Sequence, residues 1–269
     1  MFIIPFWYGL FYEYSAFIAG IIFLILFCKI AIQNKKIIIK NSKNFYIYII
    51  LIFSYLVTAL WAIDKEMAIE GFLKFLPGIF YFILLMQFEK EEKQKILNTI
   101  PLSGAIMCLI SYVLGQIPAL KAHFFSGNGR LVGFFQYSNS FALFMLIGII
   151  IIFNKKQKDL KDKITLGILA LGILITGSRF TFILTVLYLF YQILKHRKNK
   201  KKILIGVLLA ISVLVASIIL LQITGSIDIF ERLFKISLEE SSVMGRLIYY
   251  LDGLKIIAKY PFGLRLYGI

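Results

Sequence analysis

The sequence predicts an all-α membrane protein, a polytopic bundle of about eight spanning helices with an outward C-terminal amphipathic segment. Three observations predict it. The chain is 60% hydrophobic and carries 26 Phe and 15 Tyr, a composition that excludes an ordinary soluble domain. Several apolar runs approach or pass about 17 residues, the length of a spanning helix, and they are too continuous for the alternating pattern of a membrane barrel. Helices are then the only plausible spanning structure, because every backbone polar group must be satisfied internally. Finally, the net charge of +16 is spread over short loops between apolar runs, which is the pattern of membrane orientation and not of a nucleic-acid-binding domain.

In chain order, residues 1–14 are aromatic and nearly uncharged, and 15–32 form the first span. A basic loop at 33–44 leads to a second span at 45–61, and a mixed polar stretch at 62–74 leads to a short third span at 75–88 that contains Pro77. A charged loop at 89–95 precedes the fourth span, 96–115. The loop 116–133 carries His123, Asn128 and Arg130, and the fifth span, 134–153, holds Gln136, Asn139 and Ser140 in its first turns. A lysine-rich loop at 154–163 is followed by two apolar runs, 164–176 and 182–194, then by a dense basic cluster at 195–202 and an eighth span at 203–221. Two parts result: a helix bundle over 1–221 and the start of a large extracytoplasmic loop over 222–269. Within the latter, 245–260 reads as an amphipathic helix, with Leu247, Leu251, Leu254 and Ala258 on one stripe and Asp252, Lys255 and Lys259 on another. Arg246 lies off the lysine stripe. Cys28 and Cys108 both fall in apolar runs and read as small core residues, with no disulfide or metal implied. The N-terminus lacks the basic region of a cleavable signal peptide.

Four of the loops, together with Lys29, hold 19 of the 30 lysines and arginines. By the positive-inside rule those loops are cytoplasmic. The N-terminus, the Arg130 loop, the corner at Gly177-Ser178-Arg179 and the tail then face outward.

That corner interrupts a very apolar region. The run before it has about 13 residues and would reach only about 20 Å as a helix, against a hydrocarbon core of about 30 Å. Either both runs are helices that borrow from the corner, or the corner dips below the membrane surface. In both cases a guanidinium stands at the turn, at a cost of up to about 3 kcal/mol at mid-membrane that an anionic ligand could offset. Arg130, Arg179 and Arg246 form an outward set, each next to a glycine or serine. Arginine stays charged and forks onto two phosphate oxygens, so three would suit a diphosphate. Spacing alone favours a plainer reading for each, a helix cap or a side chain snorkelling to headgroups.

The same residues resemble a known family. Gly129-Arg130-Leu131-Val132-Gly133-Phe134 with Asn139 and Ala142, then Thr176-Gly177-Ser178-Arg179, then Ser242-Val243-Met244-Gly245-Arg246 with Gly253 and Pro261-Phe262-Gly263, are similar in order and in side to motifs of the O-antigen ligase/polymerase superfamily, the Wzy and WaaL type. The likeness covers about residues 125–269, and Trp61-Ala62-Ile63-Asp64 is more loosely similar. The resemblance implies a metal-independent and cofactor-free glycosyl transfer on the outer face of the bacterial cytoplasmic membrane. The donor would be a glycan on undecaprenyl diphosphate, the acceptor another lipid-linked glycan, a lipid or the wall. The partners are then a polyprenyl-diphosphate-linked glycan and membrane lipid, with no nucleic acid. By the matched motifs Arg179 and Arg246 are the catalytic pair that holds the diphosphate; Arg130, Asn139 and Ser178 bind or orient the substrate. Fixed guanidiniums in a poorly hydrated site would meet the charge that develops on the leaving diphosphate.

The sequence departs from the family in two places. The family carries a histidine later in the large loop, followed by further spans, and the sequence reaches Ile269 before that point. His123 does not match that position and reads as an ordinary loop residue; His196 falls on the cytoplasmic side, and Glu239 and Glu240 read as a solvated turn. Pro261-Phe262-Gly263-Leu264-Arg265 also lacks a second glycine. The expectation is a truncated member that keeps the donor-clamping half without a complete catalytic loop, and that could be inactive in that form. The alternatives are a transporter or flippase for the lipid-linked glycan, and a non-catalytic membrane assembly partner. Mid-span charges are scarce and no inverted repeat is visible, which weighs against a transporter.

Overall fold

The computed structural model describes residues 2–10, 12–39, 43–60, 62, 64–195 and 241–259. The expected eighth span at 203–221 and the residues Trp61, Ile63, His196, Glu239 and Glu240 lie outside the described residues. The described residues are all-helical, apart from one isolated antiparallel bridge between Phe125 and Leu131. The helices are α1 (Glu13–Asn34), α2 (Lys43–Ala59), α3 (Lys65–Met86), α4 (Lys90–Leu114), α5 (Pro118–Phe124), α6 (Ser138–Asn154), α7 (Leu160–Ile175), α8 (Arg179–Lys195) and α9 (Ser241–Lys259). Three stretches, Tyr14–Asn34, Lys65–Met86 and Lys90–Leu114, are long and apolar enough to cross a bilayer. Lys43–Ala59 and Ser138–Asn154 are apolar but shorter. Among the described residues three helices have full spanning length, so the expectation of about eight spans is not confirmed.

Several boundaries differ from those read in the sequence, each for a local reason. The third span begins ten residues earlier than expected, at Lys65, because Asp64 caps the helix: its carboxylate accepts from the Met67 N–H at 3.0 Å. The polar stretch 65–74 is thus the first turns of α3 and not a loop. Pro77 lies inside this helix, and the Tyr48 hydroxyl on α2 donates to the Phe75 carbonyl at 2.9 Å beside it. The charges at 90–95 likewise open α4, where the Glu89 N–H donates to Glu92 Oε2 at 2.9 Å. α7 starts at Leu160 behind a capping box in which Asp159 and Asp162 bond each other's backbone N–H. Lys155 closes this turn with an ion pair to Asp162. The fifth span starts later than expected, at Ser138, so Gln136 precedes the helix while Asn139 and Ser140 fall in its first turn.

The chain divides into two compact units. In one, formed by 10–93 and 237–269, α3 packs on α1 and α2. Gly20 of α1 meets the ring of Pro77, and Phe23 and Tyr81 pack with ring centroids 5.1 Å apart. The buried Gln87 clamps the loop after α1: the Ile38 N–H donates to its Oε1 at 3.0 Å, and its Nε2 donates to Ile38 O and Ile83 O, both at 2.9 Å. Among the apolar residues of α9, Leu247, Leu251 and Leu254 are all exposed.

In the other unit, formed by 1–9 and 94–236, the core runs through α4, α6 and α7. Small residues allow close approach, as is usual between membrane helices. Leu169 of α7 fits against Gly104 of α4 and Gly148 of α6, while Gly172 lies under the sulfur atoms of Met145 and Cys108. Phe141, Met107, Met145 and Ile173 are almost fully buried here. The N-terminal segment is pinned to this core: Ser103 Oγ donates to Phe2 O at 2.8 Å, and Phe6 packs on Phe134. On α8 the opposite holds, since Phe180, Ile183, Leu187 and Phe190 are exposed. Outward apolar faces of this size are what lipid would cover.

Candidate functional site

The site is built at the end of α7. Ile175 is its last helical residue, Gly177 takes a left-handed backbone with φ +59°, and Arg179 opens α8. Only three residues therefore separate the two helices: α7 stops short of the corner, while α8 borrows Arg179 from it. α7 gains its extra length at its other end, where it reaches back to Leu160. At 16 residues it is about 24 Å long, still short of a full hydrocarbon crossing of about 30 Å. Thr176, Ser178 and Thr181 are buried, each at 1% exposure or less. The Thr176 hydroxyl donates to Ile173 O at 2.6 Å, and the Ser178 hydroxyl donates to Thr181 Oγ1 at 3.0 Å. The Thr176 and Ser178 hydroxyls are thus satisfied locally.

The Arg130 loop docks on this corner. A tight turn holds the loop, with the Gly129 N–H donating to Ser126 O and the Ser126 N–H to Arg130 O, both at 2.9 Å. Gly133, at φ +66°, lets the chain pass directly beneath the ring of Phe141. A helix C-terminus leaves carbonyls without intrahelical partners. Two of those at the end of α7 are met by this loop: the Leu131 N–H donates to Ile175 O at 3.2 Å, and Arg130 Nε donates to Thr176 O at 2.8 Å. A cation at this position also complements the helix dipole. The other side of the guanidinium donates to Asn139 Oδ1 at 2.6 Å. Leu131 is wholly buried and Arg130 is half-buried.

Of the residues expected from sequence, Arg130 is hydrogen-bonded to Asn139 in the first turn of α6 and to the backbone of the corner that carries Ser178 and Arg179. Arg179 is half-buried at the start of α8. Arg246 lies in the first turns of α9, and its side chain is outside the described residues. His123 is exposed in the last turn of α5. Sequence reasoning missed Thr176 as an acceptor, because a backbone carbonyl leaves no signature in the residue type. It also missed Thr181, although a serine three residues ahead of a threonine at a helix start is a readable pairing.

These features define an all-helical membrane protein with a polar, buried helix corner to which an arginine-bearing loop is hydrogen-bonded. Residues 164–267 match the family model described as Wzy_C, O-antigen ligase, so the resemblance to the O-antigen ligase/polymerase superfamily is shown over that stretch. No curated protein and no solved structure matches the chain. The matched stretch contains Arg179 and Arg246, and Arg130 and Asn139 lie upstream of it.

Proposed function

We propose that this protein acts in glycan transfer of the O-antigen ligase or polymerase type, from a polyprenyl-diphosphate carrier to a glycan or lipid acceptor at the outer face of the bacterial cytoplasmic membrane. The bond from the donor sugar to the diphosphate breaks as an acceptor hydroxyl attacks, and negative charge grows on the departing diphosphate. Arg179 and Arg246 hold that diphosphate, Arg130 assists, Asn139 orients the site and Ser178 sets the start of α8. The observation that carries this reading is the O-antigen ligase match over 164–267, joined by hydrogen bonds from the upstream Arg130 loop onto the same corner.

The local physics supports an anion at this corner. The positive end of the α8 dipole adds to the charge of Arg179 at the first position of the helix. Polar groups in a poorly hydrated setting act more strongly on developing charge than they would in water. A glycan-transfer assay with a chemically defined lipid-linked donor tests the reading. Arg179→Lys is expected to abolish transfer while the protein still reaches the membrane, and wild-type transfer by that variant would contradict it. Movement of the intact lipid-linked glycan across vesicles, without transfer, would favour the transporter reading instead.

A further inference from the structure

We propose that Arg130 is a positioning residue, whose guanidinium ties the end of α7 to Asn139 and so fixes where Arg179 emerges. The inference rests on the proposed function for the identity of the ligand at Arg179, but the tether itself stands on geometry alone. Arg130 Nε reaches Thr176 O at 2.8 Å and a terminal nitrogen reaches Asn139 Oδ1 at 2.6 Å. These acceptors lie 46 residues downstream, at the residue that caps the end of α7, and nine residues downstream, in α6. Thr176 and Gly177 are followed by Ser178 and then by Arg179. The tether therefore ends three residues before the side chain that would meet the diphosphate.

The neighbouring Leu131 N–H adds a second bond, to Ile175 O. Two consecutive terminal carbonyls of α7 are thus held by two consecutive residues of the loop. A lysine could donate to one of the two Arg130 acceptors but has no planar fork to meet both in fixed directions. Asn139 presents an oxygen to this fork, and an aspartate would keep that oxygen and add charge. Gly177 allows the left-handed step that reverses the chain, and the loop bonds add to the corner's own backbone bonds from Gly177 N–H to Leu174 O and from Phe182 N–H to Ser178 O.

The test measures hydrogen exchange in the full-length protein in detergent, on peptides spanning 174–182. The amides of Gly177 and Phe182, bonded to Leu174 O and Ser178 O, report on the corner. Arg130→Lys and Asn139→Ala are each expected to speed exchange there by about ten- to hundredfold. The double variant should be no faster than the faster single one, and Asn139→Asp should restore slow exchange. A peptide from the α4 core, 104–111, should stay protected throughout. In parallel, binding of farnesyl diphosphate should weaken to a similar extent in Arg130→Lys and Asn139→Ala and stay near wild type in Asn139→Asp. Unchanged exchange in both single variants would overturn the tether. So would weakened binding in Arg130→Lys alone, which would make Arg130 a direct ligand, or loss of protection that spreads to α4. If Arg179→Gln leaves farnesyl diphosphate binding untouched while the exchange pattern holds, the tether stands and the diphosphate reading fails.

Discussion

At the scale of single residues, the arginines divide by what they touch. Arg130 donates to a helix-terminal carbonyl and to Asn139, whereas Arg179 stands half-buried at the first position of α8. Gly133 is a second case of a residue type dictated by position. It sits at φ +66°, and a Cβ there would come within 2.6 Å of the Phe141 ring. Gly133→Ala is expected to lower stability by at least about 1–2 kcal/mol from the left-handed backbone alone, seen as a lower midpoint in thermal unfolding in detergent; an unchanged midpoint would show that the loop repacks freely. The chemical types at this site were legible in the sequence, because Arg, Asn and Ser stand out in an apolar chain. Their connection was not. A bond from Arg130 to a backbone oxygen 46 residues away has no sequence signature, and the Ser178 hydroxyl, expected at the substrate, is buried against Thr181.

At the scale of elements, the long apolar runs were readable because a spanning helix is set by length and hydropathy. The starts of helices were harder to read. α3 and α4 open with charged turns that look like loop until the caps at Asp64 and Glu92 are seen. Pro77 falls inside the third span expected from sequence, and α3 runs through it to Met86. The clamp by Gln87 on Ile38 belongs to this scale, since one buried amide fixes a whole inter-helix loop. Replacing it by leucine removes the partners of the Ile38 N–H and carbonyl, at a cost of about 1–3 kcal/mol if they stay buried. Gln87→Leu is therefore expected to open the loop to trypsin at Lys35 and Lys36 in solubilised protein; a digestion rate equal to wild type would show that the clamp does not restrain it.

At the scale of the whole molecule, the distribution of charge argues for one orientation, with the lysine-rich loops in the cytoplasm. After replacing the exposed Cys28, a cysteine introduced at the exposed Asn128 should react with a membrane-impermeant maleimide in intact cells. One at the exposed Lys156 should react only after permeabilisation, and the reverse pattern would invert the topology and move the corner to the wrong face. Family likeness at this scale covers 164–267, and it was legible from the order of weak motifs rather than from any one of them. The measurement that bears most directly on the central claim is the affinity of the protein, in lipid nanodiscs, for a polyprenyl diphosphate against the matching monophosphate. The account predicts a preference for the diphosphate that falls by about tenfold or more in Arg179→Lys and in Arg246→Lys, the loss of roughly one forked, charge-assisted contact in each. Equal affinity for the two lipids, or a preference indifferent to both substitutions, would contradict it.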